Sequence, residues 1–312
     1  MRILSRKILI SVISLTFALF ALGTATFAWF TLSDTVTVSQ FSATVTSSDG
    51  IEVSLGSSNL DFYTNIPLSV VTSFLNGAGF GSNFRMNHIT SQNGLTFVDM
   101  KGNAKTDFPY KEGYIQFQLR FRSLTPGVKI YLANGSGLSS DAKNWASDAD
   151  FINSKGTNIA TGEAIDYYIA NAARFSFSTV EGGTEKVKIV YELPENAYGA
   201  TTNAQYGNKV LNQATQLEGA VHYFNQKNGL ISYPEEGQIY NGLVYTGKTL
   251  PASTTTFVGQ SPIVILGTTP DEGYYYGVVT LRVWIEGWDP DCFDALYGSN
   301  LKIDLKFTTV QP

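Results

Sequence analysis

The chain of 312 residues contains one cysteine, Cys292, so no disulfide can form within it. Its stability must come from core, sheet or assembly, and the lone thiol reads as a buried apolar side chain. Histidine is almost as scarce. His88 and His222 lie far apart, and neither belongs to a His-Glu-x-x-His pattern. A zinc hydrolase needs a fuller ligand set than this. No Gly-x-Ser-x-Gly elbow occurs, and no histidine neighbours Cys292, so no nucleophilic triad is indicated. His222, in Val221-His222-Tyr223-Phe224, reads as a packed strand histidine. Charge is also low, at 15% of residues, with a net charge of −5 and a pI near 5.1. That balance gives no electrostatic footprint for nucleic acid. No second long apolar run follows the first forty residues, and no C-terminal anchor is expected.

Polarity comes instead from Gly, Ser, Thr and Asn, and 13% of the residues are aromatic. Turns need Gly and Asn, and strands accept Thr and aromatic residues, so the balance suits an exported β protein. Alternation of period two dominates. Residues 35–45 carry Val36 and Val38, then Phe41, Ala43 and Val45, with a one-residue phase shift near Gln40 that reads as a bulge or a break. Ile51, Val53 and Leu55 predict a short strand. Ile115, Phe117, Leu119 and Phe121 face one side, with Gln116, Gln118 and Arg120 on the other. Val128, Ile130 and Leu132 follow a Pro126-Gly127 turn, which predicts a hairpin.

Further strands are expected at 175–177 and 187–191. Near the end, Val279, Leu281, Val283 and Ile285 alternate with Thr280, Arg282, Trp284 and Glu286. Leu301, Ile303, Leu305 and Phe307 then point inward, with Lys302, Asp304 and Lys306 outward. One dry face and one wet face imply antiparallel sheets. Thr161 can cap a short helix carrying Ile165, Tyr168, Ile169 and Ala172, and a weaker helical patch lies near residues 140–151. Residues 194–262, rich in Gly, Asn, Thr and Tyr, read as an elaborated insertion or a small second lobe. The predicted fold is all-β: an antiparallel two-sheet sandwich, jelly-roll-like, with one or two short crossover helices.

The first residues carry the strongest functional signal. Arg2, Arg6 and Lys7 precede an uncharged run from Ile8 to Ser33. A basic start, an apolar middle and Thr26-Phe27-Ala28 describe a signal peptide cleaved after Ala28. The run is also long enough for an uncleaved membrane anchor. In either case the rest of the chain lies outside the cell, in contact with the membrane only through this segment. The domain boundaries are then 1–28 for the leader and 29–312 for the sandwich.

The junction Thr26-Phe27-Ala28-Trp29-Phe30-Thr31 resembles the leader of TasA and camelysin-type proteins, exported surface and matrix proteins of Gram-positive bacteria. Residues 114–123 and 283–292 are similar to surface proteins with the same leader. The resemblance implies a SipW-like signal peptidase as partner and a jelly-roll-like sandwich. It also implies fibres built by an N-terminal strand passed from one copy to the next, in a biofilm matrix. Camelysin-type proteins carry a protease annotation, which the two distant histidines do not support.

Three sets of residues are candidates for function. Trp29 and Phe30 would begin the cleaved chain, and bulky apolar residues there need a covering surface. With Val36, Val38 and Phe41 they form the expected assembly strand, either donated to a second subunit or kept as an edge strand of the same fold. Glu286, Asp289, Asp291 and Asp294 cluster around Gly287-Trp288 and Pro290, where closely spaced carboxylates can hold calcium. The plainer expectation is a solvated turn. Trp284, Trp288 and Tyr275, beside Tyr274 and Tyr276, can stack on sugar rings if exposed. The expected function is therefore an exported, non-enzymatic structural protein of the cell surface or matrix, assembling with itself or other matrix subunits. A glycan-binding adhesin is the alternative, and a secreted hydrolase the third reading.

Overall fold

A computed structural model describes residues 37–45, 50–56, 61–80, 86–105, 113–194, 219–231, 235, 237–246, 250 and 252–312. In chain order its strands are β1 (Thr37–Val45), β2 (Glu52–Leu55), β3 (His88–Thr90), β4 (Phe97–Asp99), β5 (Ala104–Lys105), β6 (Ile115–Ser123) and β7 (Lys129–Leu132). Then come β8 (Gly137–Ser140), β9 (Lys143–Ala146), β10 (Phe151–Ile152), β11 (Asn158–Ile159), β12 (Ala164–Tyr167), β13 (Ala173–Glu181) and β14 (Thr184–Glu192). The last are β15 (Ile239–Tyr240), β16 (Leu243–Val244), β17 (Val264–Ile265), β18 (Tyr275–Glu286) and β19 (Asn300–Thr308). Among the described residues two α-helices accompany them, α1 (Leu68–Gly77) and α2 (Gly219–Asn228).

The protein is an all-β sandwich. One sheet runs β2-β6-β18-β13-β14, all antiparallel, and β3, β4 and β5 extend it from the end of β18. The other runs β1-β19-β7-β17, with β8 also paired to β19. β1 with β19 and β3 with β18 pair in parallel, so the sheets are mixed rather than wholly antiparallel.

The core lies where the expected dry faces meet. Phe117 and Phe121 of β6, Phe175 and Phe177 of β13 and Phe307 of β19 are buried, with Leu281 and Leu305. Phe121 and Phe307 pack edge-on across the two sheets, with ring centroids 4.9 Å apart. Such pairs add directional attraction to the area they bury.

Four expectations are corrected. Residues 126–127 do not close a hairpin: β6 belongs to one sheet, and β7 pairs with β17 and β19 in the other. Alternation sets which face is dry but not which strand is the neighbour. Residues 161–172 are not a helix. Ala164–Tyr167 pairs with β9 antiparallel, a 3-10 turn spans Ile169–Ala172, and Thr161 donates to Asp150 instead of capping. The patch at 140–151 is likewise extended, over β9 and β10. His222 sits on α2, not on a strand, and its Nδ1 accepts the Ile152 N–H at 2.6 Å. Burial lowers its pKa.

The described part of 194–262 has its own small apolar cluster. Ala220, Val221 and Phe224 of α2 pack with Tyr240, Leu243, Tyr245, Met100 and Trp288. Gly219 lets α2 start against the 288–291 loop: its φ is +64°, and a Cβ there would lie 2.4 Å from the Pro290 carbonyl oxygen. Among the described residues no helix is long and apolar enough to cross a membrane.

Candidate functional site

Of the expected assembly strand, Trp29, Phe30 and Val36 lie outside the described residues, as does the cleavage residue Ala28. Val38 and Phe41 lie on β1. This strand pairs in parallel with β19 from Thr37↔Asn300 to Val45↔Phe307, and the register shifts between Val38 and Gln40. The shift falls where the sequence pattern changed phase, and the strand continues through it rather than breaking. Phe41 and Ala43 enter the core, where Phe41 meets Phe117 edge-on at 5.2 Å. Ser42 Oγ donates to Asp304 on β19.

The outer side of β1 is only partly covered. The Val45 N–H donates to the Thr64 carbonyl at 2.7 Å, and the Ile66 N–H donates to the Ala43 carbonyl at 3.1 Å. Among the described residues nothing pairs with residues 37–41 on that side. An edge of this kind is open to a further strand. Among the described residues β1 thus sits at a sheet edge.

The four carboxylates of 286–294 are not a solvated turn. Glu286, Asp289, Asp291 and Asp294 are all buried, and every residue from 281 to 296 is buried. They also do not converge on one point. Glu286 and Asp289 flank Arg174 of β13, whose Nη1 lies 3.4 Å from Glu286 and whose Nη2 lies 3.1 Å from Asp289. Glu192 completes that group at 2.9 Å. Asp291 accepts from Ser154 Oγ at 2.6 Å, and Asp294 pairs with Lys227 at 2.9 Å. Among the described residues no three His, Cys, Asp or Glu side chains stand where they could hold a metal ion.

One guanidinium cannot neutralise three buried carboxylates. Burial therefore raises the pKa of Glu286 and Asp289, against the pull of Arg174. Burial also pushes Asp291 up to about 7, against its Ser154 hydrogen bond. Cys292 is fully buried, and burial with the acids around it raises its thiol well above the ordinary value. A thiol so placed is a packed side chain and a poor nucleophile.

The expected sugar-stacking residues are moved inside. Trp284 is 0% and Trp288 3% exposed. Phe97 packs edge-on to Trp284 at 5.2 Å, and Trp284 Nε1 donates to Glu286 at 3.0 Å. The cover comes from residues 86–100, which turn the expected wet face of β18 into a second dry one. Tyr275 packs half-buried against the main core.

Its neighbours behave differently. Tyr274 and Tyr276, with Phe62, interleave with Arg120 and Arg122 on the half-exposed face of β6 and β18. Arg120 lies 3.9 Å from the Tyr276 ring centroid, and Arg122 lies 4.1 Å from Phe62 and 4.2 Å from Tyr274. Glu52 and Asp271 pair with these arginines at 2.6 and 3.8 Å. Sequence reasoning named Tyr274 and Tyr276 only as companions of Tyr275, and nothing in the pattern marked Phe62. No protein-family model, no curated protein and no solved structure matches the chain.

Proposed function

We propose that this chain is an exported, non-catalytic structural subunit of the bacterial cell surface or extracellular matrix, joined to further copies by donation of its N-terminal strand. The placement of β1 carries the reading. β1 is the first described strand, it pairs along its length with β19, and on its other side only residues 43–45 meet a described neighbour, at 64–66. The groove it fills beside β19 supplies main-chain partners and apolar sockets for Phe41 and Ala43. The same segment of a second copy fits that groove equally well. Exchange of this kind is head-to-tail and does not close, so it yields filaments. The leader-like first residues support export, and the deeply buried thiol suits a chain that does not rely on disulfides.

Negative-stain microscopy tests this reading. The chain starting at Trp29 is compared with one lacking residues 29–36, which leaves β1 intact. Filaments that need residues 29–36 support strand donation, and filaments of equal length from both chains would overturn the role of that segment.

A second reading is favoured by one observation, the interleaved rings and guanidinium groups of Phe62, Tyr274, Tyr276, Arg120 and Arg122. An aromatic and cationic face suits an acidic glycan. Binding of such glycans that is lost in Tyr276→Ala would favour an adhesin over a matrix subunit.

A further inference from the structure

Lys227, near the C-terminal end of α2, is clamped between two carboxylates from separate parts of the chain. Its Nζ lies 2.7 Å from Asp148 Oδ2 and 2.9 Å from Asp294 Oδ2. Tyr223, one turn earlier on α2, donates toward the same two groups, at 2.6 Å from Asp148 Oδ1 and 3.0 Å from Asp294 Oδ2. Its phenol has one proton for two acceptors, so a proton on one carboxyl relieves the mismatch. Asp294 is the more deeply placed acid. Its side chain is 7% exposed, against 53% for Asp148, and its Oδ1 has no hydrogen-bond partner. Aromatic rings line this corner. Trp145, Phe151 and Phe293 surround Tyr223 with centroids at 5.8, 5.2 and 5.6 Å.

We propose that Lys227 and Asp294 become joined by an intramolecular isopeptide bond, with Asp148 moving the protons. An amine within contact distance of a carboxyl, held in place by the fold, reacts as an intramolecular nucleophile. Burial works against the Lys227 ammonium, but its hydrogen bonds to both acids outweigh that and leave its pKa raised. The ammonium is thus the resting form, and the reaction begins when one proton crosses to Asp294. The two acids are tuned apart. Burial raises Asp294, against its hydrogen bond from Lys227. Burial also pushes Asp148 up, but its hydrogen bonds from Lys227 and Tyr223 prevail and lower it. Carboxyls whose environments separate them in this way divide into an acid and a base.

The balance closes without any co-reactant. The neutral amine attacks the Asp294 carboxyl carbon, and a C–N bond forms. Asp148 takes a proton from the nitrogen and passes it to the departing Asp294 hydroxyl, which leaves as water. The three ammonium protons end as one amide N–H and one water, and Asp148 returns to its carboxylate. The product ties α2 covalently to the loop after β18, across 67 residues of a chain that has no disulfide.

Intact mass spectrometry of the full, denatured chain tests this. Wild type is compared with Lys227→Ala and Asp148→Asn, so that any leader processing cancels. The expected result is a wild type lighter by one water than its sequence requires, with both variants at full mass. Asp148→Asn should keep the wild-type far-ultraviolet circular dichroism. A tryptic digest of wild type should contain one branched peptide holding both Lys227 and Asp294. If Lys227→Ala fails to fold, that branched peptide decides the matter alone. Full mass for folded wild type after prolonged incubation at neutral pH, with no branched peptide, overturns the proposal. Cross-linking of Asp148→Asn at the wild-type rate overturns the part given to Asp148.

Discussion

Arg174 and Glu192 face each other across β13 and β14, each 1% exposed, with Nε and Nη2 of the arginine both 2.9 Å from the same carboxylate oxygen. Two more acids, Glu286 and Asp289, reach the same guanidinium from the end of β18 and the loop beyond it. The arginine thus pins the outermost strand of the large sheet to the 286–294 loop. Burying ions costs several kcal/mol each, and only close pairing offsets that.

Arg174→Ala leaves up to three acids without their partner. Removing one member of a buried pair destabilises by about 3–5 kcal/mol. Urea unfolding should show a loss of that size, and a change under 1 kcal/mol would contradict the central role of this arginine.

Stability should depend on pH through Asp291. Its folded pKa, about 7, lies above the ordinary 3.8. The folded state therefore holds the proton more tightly than the unfolded chain. This contribution is complete below about pH 4 and is lost as pH rises through 7, at no more than about 1.4 kcal/mol per pH unit. Asp291→Asn removes the titration. Denaturant titrations at pH 4.5 and 7.5 should show a smaller fall for the variant than for wild type.

Trp284→Ala and Tyr276→Ala separate a core aromatic from a surface one. Trp284 is fully buried, and its truncation should cost about 3–5 kcal/mol. Tyr276 sits half-exposed beneath Arg120, and its loss should cost about 1 kcal/mol or less. Thermal unfolding of the two variants should rank them in that order.

Gly219→Ala should loosen α2. The added methyl meets backbone at Pro290, in a left-handed conformation that favours glycine. The strain is worth about 1–3 kcal/mol. Hydrogen exchange should rise over residues 219–228 and change little in β6 or β13.

Much of the sandwich was legible in the sequence. The dry faces of 115–121 and 301–307 are where alternation put them, and the phase change near Gln40 is a shift of register against β19. Alternation could not name neighbours, so the turn at 126–127 read as a hairpin when it crosses between sheets. It also could not reveal cover supplied from a distance. Trp284 and Glu286 looked outward because residues 86–100, which bury them, follow no pattern that points to β18. The 164–172 segment spaces its apolar residues like a helix, yet 164–167 pairs with β9 and only 169–172 turns, as a 3-10 helix. The acid cluster was visible, but its burial depended on Arg174, more than a hundred residues earlier. α2, which carries Lys227 to Asp294, left only the short run Val221-His222-Tyr223-Phe224, which reads as a strand.

The claim that β1 is exchanged between copies is best tested by locking it in place. Ser42 and Asp304 are register partners on β1 and β19, and Cys292 is too buried to compete for a new thiol. The double variant Ser42→Cys with Asp304→Cys, starting at Trp29, is oxidised as a dilute monomer and then observed by negative-stain microscopy with and without reductant. Strand donation predicts monomers while the bond is intact and filaments once it is reduced. Filaments in both states, or in neither, would contradict it.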